Sequence, residues 1–118
     1  MQYILLIYAS EAMQAKRSEA ENNAIFDGYM TYTEEIRKSG HLVAGEPLED
    51  TRSATTIRVK DGKTLRTDGP FAETREQLGG FYIVEAKDLD EAVALAARIP
   101  DAKDGCIEIR PVMKIPGM

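Results

Sequence analysis

The chain has 118 residues, 43% of them apolar and 30% charged, enough for one hydrophobic core and a solvated surface, so we read residues 1–118 as a single domain. Fifteen Lys and Arg stand against 20 Asp and Glu, a net charge of −5, and no basic run is interleaved with aromatics; direct binding to a nucleic-acid backbone is therefore set aside. The single cysteine, Cys106, excludes an intrachain disulfide, and no stretch approaches the ~20 apolar residues of a membrane span, so a reducing cytoplasmic setting is the expectation.

Tyr3 to Tyr8 is a continuous apolar run and reads as a first strand covered on both faces. Ser18 and Glu21 have capping-box spacing, and Ile25, Tyr29, Tyr32 and Ile36 follow at helical intervals. Arg37 and Lys38 sit at the negative end of that helix and Gly40 is placed to cap it. The helix thus runs from about Glu19 to Ser39, with its start either there or nearer Glu11. Leu42 to Glu46 is a short second strand. Thr55 to Lys60 alternates, Asp61-Gly62 is a two-residue hairpin turn, and Lys63 to Thr67 is the return strand. Gly80 to Ala86 is the next strand. Asp88 and Glu91 open a second helix, with Ala92, Val93, Ala96 and Ile99 as its apolar face and Pro100 as its stop. Ile107 to Met113 is a last strand, placed near an edge by Pro111.

With the hairpin set aside, the order is βαββαβ, the ferredoxin-like arrangement, an α+β fold with both helices on one face of an antiparallel sheet. Tyr3–Tyr8 and Phe81–Val84 show little alternation, so the helix-free face is also apolar. A second copy of the sheet is its natural cover, which predicts a homodimer in the form of a dimeric α+β barrel, with a small-molecule ligand in the cleft between the sheets.

The residues suited to chemistry are carboxylates. Asp68 stands in the turn Asp68-Gly69-Pro70-Phe71: either it bonds nearby backbone N–H groups while Phe71 plugs the core, or it is an acid/base at the cleft mouth. Glu73, Arg75 and Glu76 form either a solvated loop or a set with one carboxylate facing the cleft. Gly79-Gly80 marks close backbone approach. Asp68 and Glu76 are the catalytic candidates; Tyr29, Glu46, Glu73 and Arg110 are the ligand-binding candidates. If Ile107 and Ile109 pack under the helices, period two turns Glu108 and Arg110 toward the cleft. Tyr29 and Tyr32 lie on the helix stripe, as core residues with a hydroxyl at the rim or as donors to a ligand. His41, the only histidine, is expected at the surface, and Cys106 as a small buried hydrophobe. One His and one Cys far apart in sequence do not make a zinc site, and no phosphate-binding glycine loop occurs, so neither a metal nor a cofactor is expected.

The string Asp68-Gly69-Pro70-Phe71-Ala72-Glu73-Thr74-Arg75-Glu76 resembles the motif of the YCII-related group, in the branch named for its DGPFAETKE-like sequence, with Arg75 where lysine is usual. Gly45-Glu46-Pro47-Leu48, Leu78-Gly79-Gly80-Phe81-Tyr82, Asp90-Glu91-Ala92 and Glu108-Ile109-Arg110-Pro111-Val112 extend the resemblance over nearly the whole chain. It implies a dimeric α+β barrel similar in fold to muconolactone isomerase. The broader group is associated with a cleft His–Asp pair and, in some members, lyase-like chemistry on rings. Here no histidine lies in the first helix, and Tyr29 occupies that region. The branch is also associated with extracytoplasmic-function sigma factors. Two functions follow: a cleft that binds a small organic molecule, with carboxylate acid/base (lyase- or isomerase-like) chemistry if it is an enzyme, or a non-catalytic module that contacts a transcription-related protein.

Overall fold

The computed structural model describes residues 1–118. Strand β1 (Gln2–Ala9) leads through a one-turn helix α1 (Glu11–Gln14) into the long helix α2 (Glu19–Lys38). Strand β2 (Leu42–Pro47), the hairpin β3 (Thr55–Lys60) and β4 (Lys63–Asp68), and strand β5 (Gln77–Glu85) follow, then α3 (Leu89–Ala97) and β6 (Cys106–Pro111). Short 3₁₀ turns occupy Thr51–Ser53 and Pro100–Ala102. Strands β1, β2, β5 and β6 form one antiparallel sheet in the order β2-β5-β1-β6, as a ferredoxin-like βαββαβ chain requires, and β3–β4 forms a separate two-stranded sheet. No helix is long and apolar enough to cross a membrane.

Local chemistry explains most of the boundaries. Ser18 accepts from the Glu21 N–H while Glu21 accepts from the Ser18 N–H, closing the capping box of α2. At the other end His41 N–H bonds Ile36 C=O and Gly40 N–H bonds Arg37 C=O. That pairing needs a left-handed residue between helix and strand, and Gly40, at φ +82°, supplies it. Asp61 and Gly62 both take positive φ, 51° and 75°, the turn that matches the twist of a tight hairpin. Asp88 caps α3 by accepting from the Glu91 N–H at 2.9 Å.

The core lies between one face of the sheet and the two helices. Tyr3, Leu5 and Ile7 of β1 and Tyr82 and Val84 of β5 meet Tyr32 and Ile36 of α2 and Ala92, Leu95 and Ala96 of α3. Complete burial of Leu5, Ile36 and Val84 contributes about 1.5–3 kcal/mol each relative to exposure. Tyr32 satisfies its hydroxyl on Leu95 C=O at 2.8 Å, and its ring meets Tyr82 edge-on at 5.3 Å. Ile107 and Ile109 pack against this core, so Glu108 and Arg110 emerge on the helix-free face, as their alternation predicted.

Some expectations change. The inward face of α3 uses Leu95 where the sequence reading had Val93, which is exposed, because the helix turns its 92–95–96–99 stripe to the sheet. Strand β5 begins at Gln77, three residues before Gly80, and β6 stops at Pro111, which has no N–H to give, although the Val112 N–H still bonds Gln2 C=O at 2.9 Å. Phe71 plugs nothing: it is 80% exposed. Cys106 is exposed at the start of β6, not buried. His41 is half-buried and bridges the helices, with Nδ1 at 2.6 Å from Ser39 Oγ and Nε2 at 3.3 Å from Glu91.

The molecule is flat, 48 × 47 × 18 Å, with a radius of gyration of 16.4 Å, against about 13.5 Å for a compact chain of this length. Its accessible surface is 8769 Å², whereas a compact monomer of this mass exposes about 6,400 Å². The helix-free face carries Ile4, Leu6, Tyr8, Phe81 and Ile83, all half-exposed.

Candidate functional site

One cavity of about 540 Å³ opens between α2 and the end of the sheet where β1 and β2 finish and β5 begins. Phe26, Tyr29, Met30 and Thr33 of α2 form its roof, Ile7, Ala9 and Tyr82 of the sheet its base, and the segment Glu46–Asp50 its rim. It lies on the helix-covered face. The sequence reading had placed a ligand on the opposite face, between two sheets.

Asp101 borders this cavity and is only 7% exposed. Tyr29 donates its hydroxyl to Oδ2 at 2.6 Å, and Arg17 donates to Oδ1 at 3.3 Å. Each carboxylate oxygen therefore has one protein donor and lone-pair capacity left over. Several local features bring the groups together. Pro100 ends α3 and starts the turn that carries Asp101. A Cβ on Gly28 would lie 3.3 Å from Pro100 Cγ, tighter than most such contacts, so glycine here eases the close approach of α2 to the turn. Burial, followed by the hydrogen bond to Asp101, raises the Tyr29 pKa far above the ordinary tyrosine value. The raised pKa favours the phenol form, so Tyr29 is the donor and Asp101 the acceptor of the pair.

A second polar pair faces the same space. Thr33 Oγ1 and the Tyr82 hydroxyl are 2.6 Å apart. Burial raises the Tyr82 pKa, and the Thr33 bond partly opposes that rise. Gly45 of β2 lies against the Tyr82 ring: a Cβ there would come within 2.7 Å of Cδ1. The rim is tied by Glu11, whose carboxylate accepts from Thr51 N–H at 2.9 Å and Thr51 Oγ1 at 2.6 Å. Gln77 accepts from Glu11 N–H at 2.8 Å, so the ends of β1, the β2–β3 connection and the start of β5 are fastened together.

Most of the sequence candidates lie away from this cavity. Tyr29 and Glu46 border the cavity. Glu46, however, is opposite Phe81, one position on from the Gly45–Tyr82 pair, so period two points its side chain to the helix-free face. Asp68 is exposed at the end of β4, and Glu73 is exposed in the following loop. Glu76 is half-buried, with Oε1 3.5 Å from Cys106 Sγ, away from the cavity. Arg110 is exposed on the helix-free face of β6. Gly80 approaches backbone closely, but the backbone is its own β2: a Cβ would lie 3.0 Å from Glu46 C=O. Local desolvation and the hydrogen bond to the Glu76 carboxylate raise the pKa of the exposed Cys106, which opposes a thiolate nucleophile.

Sequence reasoning missed Asp101, Arg17, Thr33 and Tyr82. The one local signal was an acid directly after the helix-stopping Pro100, a position that solvent usually occupies. What makes Asp101 special is Tyr29, 72 residues earlier.

A family model described as YCII-related domain matches residues 1–116. The chain is also 34% identical over 114 residues to an uncharacterized protein of Rhizobium meliloti (strain 1021), covering 95% of this chain and 92% of that one.

Proposed function

The chain belongs to the YCII-related domain family, and from that premise we propose that it binds a small organic molecule in the cavity beneath α2, with the Tyr29–Asp101 pair as its polar anchor. One observation carries the reading: a cavity with mostly apolar walls that ends on a buried, doubly hydrogen-bonded carboxylate with acceptor capacity to spare. Tyr29 holds Asp101 in place and stays protonated. If a reaction follows, Asp101 is the group that accepts a proton from the ligand, a lyase- or isomerase-like step in which the carboxylate role moves from Asp68 and Glu76 to Asp101. The resemblance implied a His–Asp pair; a phenol from the first long helix takes the imidazole's part here, which favours orientation of the carboxylate over proton shuttling.

The string Asp68–Glu76 supports placing the chain in the DGPF branch. A homodimer through the helix-free face belongs to the same proposal, supported by the apolar residues of that face and by about 2,400 Å² of surface beyond that of a compact monomer. The exposure of Phe71, with Asp68 and Glu73 around it, favours a second role for this loop as a contact for a transcription-related protein.

A thermal-shift screen of small organic acids, amines and ring compounds tests the cavity. A ligand at 100 times its Kd stabilises by about 2.7 kcal/mol, which raises Tm on the order of 10 °C for a domain of this size. Asp101→Asn and Tyr29→Phe should remove most of that shift while the far-UV spectrum of the free protein is kept. Hits that stabilise both variants as strongly as the wild type would refute the assignment of the site.

A further inference from the structure

The β3–β4 hairpin has no support from its own chain. Its strands pair only with each other, and every residue from Thr55 to Asp68 is exposed except the half-buried Thr56. Six-residue strands at 3.3 Å per residue project about 20 Å. Two-stranded ribbons of this kind are marginal in water unless a third element covers one face. The base is nonetheless firmly aimed: Gly69 N–H bonds Ala54 C=O at 2.8 Å, and Thr56 Oγ1 donates to Gly69 C=O at 2.8 Å. One face carries Ile57, 61% exposed, and Val59, 69% exposed, beside Arg66 and Thr64.

Two further observations point to what the hairpin packs on. The first is charge. Arg66 shares the Ile57–Val59 face, while Arg58, Lys60 and Lys63 leave from the opposite face; together they give the hairpin four of the chain's 15 cations, against Asp61 and Asp68, two of its 20 acids. The hairpin is a positive arm on a strongly acidic body, so the body of a second copy is its electrostatic complement. The second is area. Four strands about 4.8 Å apart and about seven residues long have a footprint near 450 Å². Pairing of the helix-free faces therefore leaves most of the excess surface, about 2,400 Å², uncovered. A standard interface takes about 800 Å² from each partner.

We infer that the β3–β4 hairpin is a clasping arm that lays its Ile57–Val59 face on a second copy of this chain, extending the interface beyond the sheet. The inference rests on the pairing of copies proposed above. Each protomer gives one arm and receives one, so the contact is formed twice per dimer.

Sedimentation equilibrium on the whole chain, with hydrogen exchange of the hairpin amides, tests it. Wild type should dimerise, with slow exchange across Thr56–Lys60. The double variant Ile57→Asp/Val59→Asp alters side chains that lie outside the core, with only their cross-strand partners Arg66 and Thr64 beside them, so its far-UV spectrum should match wild type. Its dimer Kd should rise at least tenfold and its hairpin exchange should become fast. Raising salt from 0.1 to 0.5 M should weaken wild-type dimerisation as well, by screening the arm's charges. Leu6→Asp, on the helix-free face, is the control. If Leu6→Asp dissociates the dimer and Ile57→Asp/Val59→Asp does not, the arm is free and the inference fails while sheet pairing stands. A wild type that stays monomeric overturns both, and leaves the cavity to its own ligand test.

Discussion

Removal of the Tyr29 hydroxyl gives the sharpest test of the site's physics. Tyr29→Phe deletes the 2.6 Å bond to Asp101 and leaves a carboxylate that is 7% exposed with one donor, Arg17 at 3.3 Å. Hydrogen bonds to charged groups contribute about 1.5–3 kcal/mol, and a buried acceptor stripped of its donor loses the full amount. Tyr29→Phe should therefore destabilise the fold by about 2 kcal/mol, roughly 8 °C in Tm for a domain of this size. The phenyl ring retains its packing, so most of the loss belongs to the bond. Asp101→Ala and the double variant complete a cycle, measured by urea unfolding at one protomer concentration so that self-association is held constant. A coupling energy of at least 1 kcal/mol is expected. Additivity within about 0.5 kcal/mol would mean that the two side chains are neighbours without an energetic bond, and the description of the site as an oriented carboxylate would fall.

Gly45→Ala drives a methyl group to 2.7 Å from the Tyr82 ring, and overpacking of this kind costs about 1–3 kcal/mol. It should lower Tm and also weaken ligand-induced stabilisation, because the Tyr82–Thr33 pair moves with the ring; an unchanged melting curve would contradict the close packing of β2 on β5. Tyr29, Tyr32 and Tyr82 all have pKa values raised chiefly by burial. The unfolded chain releases those protons near pH 10 while the folded one keeps them, so stability is intact below about pH 10 and falls as pH rises beyond it. Absorbance at 295 nm should show a phenolate deficit in the native protein relative to the urea-unfolded one, and equal titrations would refute the burial of these hydroxyls.

Ser18, Glu21 and Gly40 announced the ends of α2, Asp61-Gly62 announced the hairpin, and the 107–110 alternation told which side chains share a face. These signals are legible because they depend only on a residue and its immediate neighbours: a cap satisfies an N–H three positions away, a turn needs positive φ, and a strand alternates with period two. The element order followed from them, and with it the antiparallel α+β sheet.

The candidate site was a different matter. Asp68 and Glu76 were conspicuous because charge is dense in their stretch, yet they lie outside the cavity, whereas Asp101 looked like a common acid after a helix. Its burial depends on how α2 and the turn after α3 settle against one another, an approach that the missing side chain at Gly28, facing Pro100, eases. Which face holds the cavity was likewise invisible in the periodicity, since both faces of the sheet are apolar. Local sequence specified the directions in which side chains leave the backbone; only tertiary packing specified which of them meet, because a contact across 72 residues is a property of two surfaces and not of either segment alone.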